Sequence, residues 1–494
     1  MTPRHPASTL HRRGLVPLGM ALLLGVVYRA TLLPGVGHIA DTAELQFTGY
    51  RLCVAHWTGY PTYHLISHAF TTLLPFGSPA FRANLLSAVF SVLACLLLRR
   101  LLLRLGVREV VAVATALAFG FTPTFWRHSI TAEVYGLHEL FVVLVALSFV
   151  RWRQTGRRRD LILACGAYAF SFGNHLTTVL LLPAVTVFVL ATRPRVLVDW
   201  RSVLPVSGLV VLASLQYLYP VWRSLDPTTP YLATEVTSLG ALWHYATGTP
   251  FQGNMFAFTP AQLVHERIPF FARLWWEDCG PLLLLAIAGV ARFKDRAIAI
   301  FFGLAFLFNL VFALCLRIGE IHPYFLPCYL ITAVVAGLGL DRMLSLAGDK
   351  RAIALLVFLL PAGLGAFHWA RVEEATLPGK AEPMRALLEE VGERALLLPR
   401  YEQYMQLLYF DLAEGRGGPD VFIGFDVAVD DVVAYVEQGR PIYLPRVRRQ
   451  VPPGLAVYST RLGLRPRYRA AGLEVEMFGW GAYRISRPAT PAVP

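Results

Sequence analysis

Long apolar runs alternate with short polar ones over the first three quarters of the chain. They fall at about 15–33, 83–103, 110–124, 134–150, 160–173, 177–191, 203–219, 280–291, 297–316, 325–340 and 352–369. A helix crosses a bilayer with about 20 apolar residues, and shorter runs manage it when tilted or broken. The pattern predicts about eleven spans. The first run follows Arg4, Arg12 and Arg13, exceeds a signal-peptide core in length and ends without a small-residue cleavage pattern. It reads as an uncleaved span.

Two long polar interruptions stand out, at 34–82 and 220–279. Connectors of that length carry structure or function. In the first, Leu45 and Leu52, and Phe47, Tyr50 and Val54, recur at helical spacing, and 62–74 is a second apolar-rich stretch. Both predict helices lying in the membrane interface. In the second, 239–247 and 261–276 are rich in aromatics, which suits the same region.

After about residue 370 the pattern shortens. Segments 394–398, 421–425 and 441–444 read as strands, and 475–485 as one or two more. Segments 401–414 and 429–438 read as helices between them. Alternating strands and helices predict a small α/β domain with a parallel sheet. The fold class is therefore a polytopic α-helical membrane protein with a small C-terminal α/β soluble domain. Residues 1–369 form the transmembrane part, with outer loops 34–82 and 220–279, and 370–494 the extracytoplasmic domain.

Composition agrees: 55% of the 494 residues are hydrophobic and 16% charged, with mean hydropathy +0.51. The net charge of +13 could suggest nucleic acid. The basic residues instead sit in clusters between apolar runs, with no zinc-finger or RNA-binding motif, which excludes a nucleic-acid partner. Alternate loops hold 21 basic residues against 7, the richer set including Arg99, Arg100, Arg104, Arg151, Arg153, Arg157 and Arg158. The positive-inside rule places that set, and the N-terminus, in the cytoplasm. The poorer loops and the segment after 370 then lie outside an inner, plasma-type membrane. The six cysteines are scattered without a CxxC pair, as buried small hydrophobes are. Cys53 and Cys279 both fall outside, where they could pair.

Chemistry concentrates in the outer loops. Asp41 and Glu44 are three apart, on one face of a helix. They suit a capping box, with Asp41 as N-cap and Glu44 reaching back. They equally suit a general base, since a carboxylate against a hydroxyl proton makes that hydroxyl a better nucleophile. His56, Gly59, Tyr60 and Pro61 follow in a turn. His64 and His68 have zinc-ligand spacing but lack the HExxH glutamate. Arg127, His128, Glu133, Tyr135, His138 and Glu139 lie at or near the next outer turn, with Glu139 inside a span. His175, and Arg317 with Glu320 and His322, occupy further outer turns, and Arg82 closes the first outer loop. Arginine binds phosphate oxygens bidentately, so these cations suit a lipid phosphate. No Walker A loop, GxSxG elbow or kinase motif set is present.

The order Asp41-x-x-Glu44, His56-x-x-Gly59-Tyr60-Pro61, Arg82-x-Asn84, Glu133-Val134-Tyr135 and Gly173-Asn174-His175 resembles one family. It comprises polytopic bacterial membrane proteins related to a eukaryotic protein O-mannosyltransferase, of the GT-C glycosyltransferase class. The resemblance covers about residues 15–260, with 243–256 similar to the family's second outer loop. Ala43 replaces the usual glycine, and Trp57 and Thr58 replace two prolines, which would reshape a sugar or acceptor pocket. The resemblance implies an inverting glycosyltransferase with a polyprenyl-phosphate sugar donor and a protein or glycan acceptor, working at the outer membrane face. Asp41 would be the base and Glu44 its neighbour or alternate. His56, Tyr60, Arg82, Arg127, His128, Glu133, Tyr135, His175, Arg317 and His322 would line the substrate. No metal site is assigned, although a divalent metal is compatible with the acids. The alternatives are a transporter or flippase for a lipid-linked or anionic substrate, for which Glu139 and Asn309 are the midspan polar candidates, and a non-catalytic assembly partner.

Overall fold

A computed structural model describes residues 6–39, 41–346, 355–375, 382–390, 394–398, 400–415, 420–423, 430, 432–433, 456–459, 465–478 and 482–488. The first half is helical: α1 (Pro6–Ala30), α2 (Thr42–Arg51), α3 (Pro61–Leu73), α4 (Pro79–Arg104), α5 (Glu109–Gly120), α6 (Pro123–Ser129), α7 (Tyr135–Thr155) and α8 (Arg158–Ser171). Among the described residues, five helices are long and apolar enough to cross a membrane: Pro79–Arg104, Tyr135–Thr155, Trp200–Leu225, Arg296–Cys315 and His322–Leu346. Two bent pairs raise this to seven. Gly14–Ala30 and Leu176–Thr192 are apolar but shorter.

The eleven apolar runs thus give fewer clear spans, for local reasons. The 110–124 run is broken before Pro123, and α5 and α6 meet at 73°. The 280–291 run turns by 98° from the helix before it, at Gly280 with φ +32°. α8 has only 14 residues and begins Arg158-Arg159-Asp160. Bands of exposed leucine and valine, such as Leu18, Leu22 and Val26 on α1 and Leu204, Val211 and Leu215 further on, are what lipid-facing surface requires. Where helices pack on each other, small residues let backbones meet. A Cβ on Gly289 would stand 1.9 Å from the Val335 carbonyl oxygen, and one on Gly339 1.9 Å from that of Leu285.

Segment 34–82 differs from expectation. α2 has ten residues, about 15 Å, too short to span. Thr42 through Gly49 are all buried, so α2 is enclosed by protein rather than lying on the membrane surface. α3 keeps Leu65, Ile66 and Leu73 exposed, as an interfacial helix would. α4 runs about 39 Å from the α2 region to the Arg99–Arg104 cluster.

In the last quarter, β1 (Arg394–Leu398), β2 (Asp420–Ile423), β3 (Ala456–Ser459), β4 (Glu474–Phe478) and β5 (Ala482–Ser486) form one sheet, in the order β2-β1-β3-β5-β4. β1 is parallel to β2 and β3, while β5 is antiparallel to β3 and β4. The sheet is therefore mixed rather than parallel, because the short loop between β4 and β5 permits only a hairpin. β3 was not legible as a strand. The predicted strand 441–444 and most of the predicted helix 429–438 lie outside the described residues. The Tyr401–Leu412 helix crosses from β1 to parallel β2. It also packs on segment 34–82. Tyr404, Leu407, Leu408 and Phe410 share one apolar cluster with Val36, Ala43, Phe47 and Ala80. Gln406 Nε2 donates to the Gly37 carbonyl at 2.8 Å, and the Ala80 N–H to the Tyr409 hydroxyl at 3.1 Å.

Candidate active site

Asp41 is the residue before α2, and its side chain caps no amide of the helix. Glu44 does not reach back to it. Glu44 Oε1 accepts the backbone N–H of His56 at 2.9 Å, and Oε2 is bonded to His56 Nδ1. The capping box is therefore not formed. His56 Nε2 faces the Tyr60 hydroxyl at 3.1 Å and Asp41 Oδ2 at 3.5 Å. The Tyr401 hydroxyl lies 3.1 Å from Asp41 Oδ1 and 3.0 Å from Glu44 Oε2. Glu44 is fully buried, whereas Asp41 keeps 37% of its side chain exposed. Of the two acids, Asp41 faces the cavity and Glu44 holds the histidine.

The other motif residues hold this arrangement. Asn84 accepts from Gln46 Nε2 (2.9 Å) and the Ala132 N–H (2.8 Å), and donates to the Leu33 carbonyl (2.8 Å). It ties α2, α4 and the turn before α7 together from a fully buried position. Thr42 donates to Glu133 Oε1 at 3.0 Å, and Asn174 Nδ2 to the Val134 carbonyl at 3.1 Å. Residues of the 220–279 segment grip the strand-like stretch before His56. Arg223 Nε donates to the Leu52 carbonyl at 2.7 Å, and the Tyr245 hydroxyl to that of Ala55 at 2.7 Å. The Tyr245 ring also explains Gly59, with φ +86°, where a Cβ would stand 2.3 Å from the ring. Tyr60 itself is held at φ +44°, a conformation that non-glycine residues adopt at some cost.

Burial pushes the His56 imidazole toward neutrality, but the Asp41 and Glu44 carboxylates outweigh it and hold its pKa up to about 10. For Glu44, burial is likewise overcome by the charge and hydrogen bonds of His56, leaving its carboxyl below the ordinary range. Asp41 goes the other way. Burial and the neighbouring Glu44 outweigh His56 and Tyr401, so its carboxyl lies above the ordinary range. Burial, with Asp41 and Glu320 nearby, also raises Glu133 well above its usual value. The two acids of one motif are thus driven apart, one locked as a counter-ion and the other shifted toward the pH where a base works best.

A cavity of about 980 Å³ opens over Asp41. His56, Tyr60, Arg127, Glu133, Tyr135, His175 and His322 of the predicted set line it. Arg127 is paired with Glu320 at 2.6 Å. Glu44 lies behind the lining. Three predicted contacts stand elsewhere. Arg82 donates to the carbonyls of Thr71, Phe76 and Gly77 and so closes the end of α3. Arg317 donates to the Ala257 carbonyl and covers the Phe258 ring. His128 is buried against Tyr135, its Nδ1 on the Thr124 carbonyl. Position in a turn does not say which way a side chain points. Glu320, Tyr324, Tyr401 and Glu402 line the cavity unforeseen. The outer turn near 320 gave a hint of the first two, while no spacing relates Tyr401 to Asp41 across the chain.

Asp41, Glu44 and His56 present ligand atoms within 4.8 Å of one another. A cation there would take the place of the His56 proton and of its bond to Glu44; as they stand the three residues form an ion-paired triad. His64 bonds Thr48 and the Tyr60 carbonyl, and His68 the Tyr50 carbonyl. Cys53 and Cys279 are free thiols. Asn309 donates within its own helix. Glu139 is fully buried, with no hydrogen bond to either oxygen among the described residues. Neither Glu139 nor Asn309 lines the cavity.

Residues 41–197 match the model of the protein O-mannosyl-transferase TMEM260 N-terminal domain. The chain is 28% identical over 464 residues to protein O-mannosyl-transferase TMEM260 of Mus musculus, a match covering 87% of this chain and 64% of that protein. It is 24% identical over 122 residues to its namesake in Dictyostelium discoideum, covering 24% of this chain and 15% of the relative. The chain thus spans 64% of the length of the mouse protein it matches. Among solved structures, ArnT from Cupriavidus metallidurans bound to undecaprenyl phosphate superposes with a TM-score of 0.62 at 14% identity, over 97% of this chain and 99% of that one. Its apo form gives 0.58 at 14% identity, over 97% and 100%. The motif resemblance is therefore upheld. The chain is related to the protein O-mannosyl-transferases and has a GT-C-type membrane fold.

Proposed function

We propose that the chain transfers a sugar from a polyprenyl-phosphate carrier to an acceptor hydroxyl at the outer face of an inner, plasma-type membrane. The name of the relatives makes mannose the first sugar to try and a protein hydroxyl the first acceptor. Asp41 takes the acceptor proton. The freed oxygen attacks the anomeric carbon on the face opposite the carrier, the carbon–oxygen bond to phosphate breaks, and polyprenyl phosphate leaves with its electron pair. The configuration inverts. His56, held positive, keeps charge near the reacting atoms, and Arg127 and His322 add cationic and polar groups where a phosphate would sit.

The observation that carries this reading is a partly exposed carboxylate, raised above its ordinary pKa, in a cavity with one apolar wall. Leu176, Val179, Leu180, Phe312, Leu316 and Ile318 make that wall. Val179, which lines the cavity, and Val311 are exposed, as the approach of a prenyl chain requires. The outer-face assignment is supported by the ends of α4. Asn84 at the site and Arg100 in the basic cluster are separated by about 24 Å of helix. On this reading residues 370–494 also lie outside, on the acceptor side. The experiment is label transfer by the purified chain in liposomes, given either polyprenyl-phosphate mannose or a nucleotide-linked mannose. Transfer from the lipid donor alone is expected. Transfer from the nucleotide donor alone would refute the reading.

A further inference from the structure

The Tyr401 hydroxyl touches both acids of the site, although it comes from a helix more than three hundred residues away in the chain. We infer that Tyr401 is a positioning residue: it holds the Asp41 carboxylate in the orientation that accepts the acceptor's proton, so that the C-terminal segment completes the centre. This rests on the reading of Asp41 as the base.

The geometry is specific. One hydroxyl lies 3.1 Å from Asp41 Oδ1 and 3.0 Å from Glu44 Oε2. A phenol carries a single proton and donates to one carboxylate at a time. While Asp41 is ionised, the bond to Oδ1, with His56 Nε2 facing Oδ2, fixes both oxygens and leaves the remaining lone pairs to the cavity. Once Asp41 has taken the acceptor's proton, the hydroxyl turns to Glu44, which stays ionised beside His56. No proton is lost or gained by the tyrosine in the exchange. Burial and the two carboxylates hold the phenol protonated, far above its ordinary range, so Tyr401 serves as a donor and not as a base.

The tyrosine is held in place from behind. Gln406 and Tyr409 anchor the same helix to Gly37 and Ala80, on either side of α2. Glu402, the next residue, lines the cavity. The domain model that matches residues 41–197 does not include this residue. A centre built from residues 41–60 alone would leave Asp41 Oδ1 without a side-chain donor.

The test compares pH–rate profiles of the full chain in liposomes with labelled polyprenyl-phosphate mannose. The chains are wild type, Tyr401→Phe, a chain carrying difluorotyrosine at 401, and Tyr409→Phe as a docking control. Tyr401→Phe should lower kcat about 10- to 100-fold, the scale of one hydrogen bond to a charged group, with donor KM within about two-fold. Its acid limb should move to higher pH, because losing a donor raises the Asp41 pKa. Difluorotyrosine, a stronger donor, should move the limb to lower pH. Tyr409→Phe should leave the limb in place. Unchanged limbs in both Tyr401 chains, or an equal shift in Tyr409→Phe, would overturn the inference. Loss of transfer in Asp41→Asn alongside a wild-type profile for Tyr401→Phe would overturn it while sparing the base assignment. Near-normal transfer by Asp41→Asn would overturn both.

Discussion

The two walls of the cavity are built on opposite principles. On one, Asp41, His56, Tyr60 and Tyr401, with Glu44 behind them, are held by hydrogen bonds of 2.9–3.1 Å that orient their charges. On the other, Leu176, Val179, Leu180, Phe312 and Leu316 offer only shape and apolar surface. The first wall can tell one protonation state from another. The second can tell only wet from dry. A lipid-linked donor needs both, since its chain gains by burial while its reacting end needs oriented charge.

This contrast can be broken from either side. On the polar wall, Glu44→Gln should do the most damage. It leaves the His56 charge with Asp41 as its remaining carboxylate, a loss approaching the roughly 3–5 kcal/mol of a broken buried pair. Thermal melts should fall by several degrees, and transfer by about 100-fold or more. On the apolar wall, Phe312→Asp should act on binding instead, raising donor KM about 10-fold or more through the cost of placing a charge against the prenyl chain, with a far smaller change in kcat. An equal effect on kcat would erase the distinction between the walls.

A subtler probe is pH. His56 is held up to about 10, above the ordinary 6.5. Its protonated form therefore contributes stability that is complete below about pH 6.5 and lost as the pH rises through about 10. The melting-temperature gap between wild type and His56→Gln should be widest at about pH 6 and should shrink steadily as the pH rises toward 10. A gap that grows with pH would contradict the ion-paired triad. The smallest effect is expected at Arg82. Arg82→Gln removes bonds to backbone carbonyls outside the cavity, so abundance should fall modestly while donor KM and kcat stay within about two-fold of wild type.

Much of this was legible in the residue pattern. The long apolar runs announced membrane helices, and β1 and the helix from Tyr401 stand where the alternation put them. The motif order located Asp41, His56, Tyr60, Glu133, Tyr135 and His175, all of which reach one cavity. What the pattern could not convey was direction. Arg82 and Arg317 have the charge and the loop position expected of phosphate ligands, yet each turns to nearby carbonyls. Asp41 and Glu44 have capping-box spacing, but a tertiary partner, His56, outcompetes the local bond. Tyr401 was invisible as a site residue because its helix docks through contacts that no local periodicity encodes. Proline and glycine bends likewise cut apolar runs that composition alone counts as whole spans.

On the proposed reading, Asp41 does the chemistry while the rest of the cavity binds. The most direct test is a single-turnover measurement on Asp41→Asn in liposomes loaded with labelled polyprenyl-phosphate mannose, read for bound donor and for labelled acceptor together. Donor should be retained at near wild-type occupancy and transfer reduced by about 10²- to 10⁴-fold. Transfer within a few-fold of wild type, at equal occupancy, would contradict that reading.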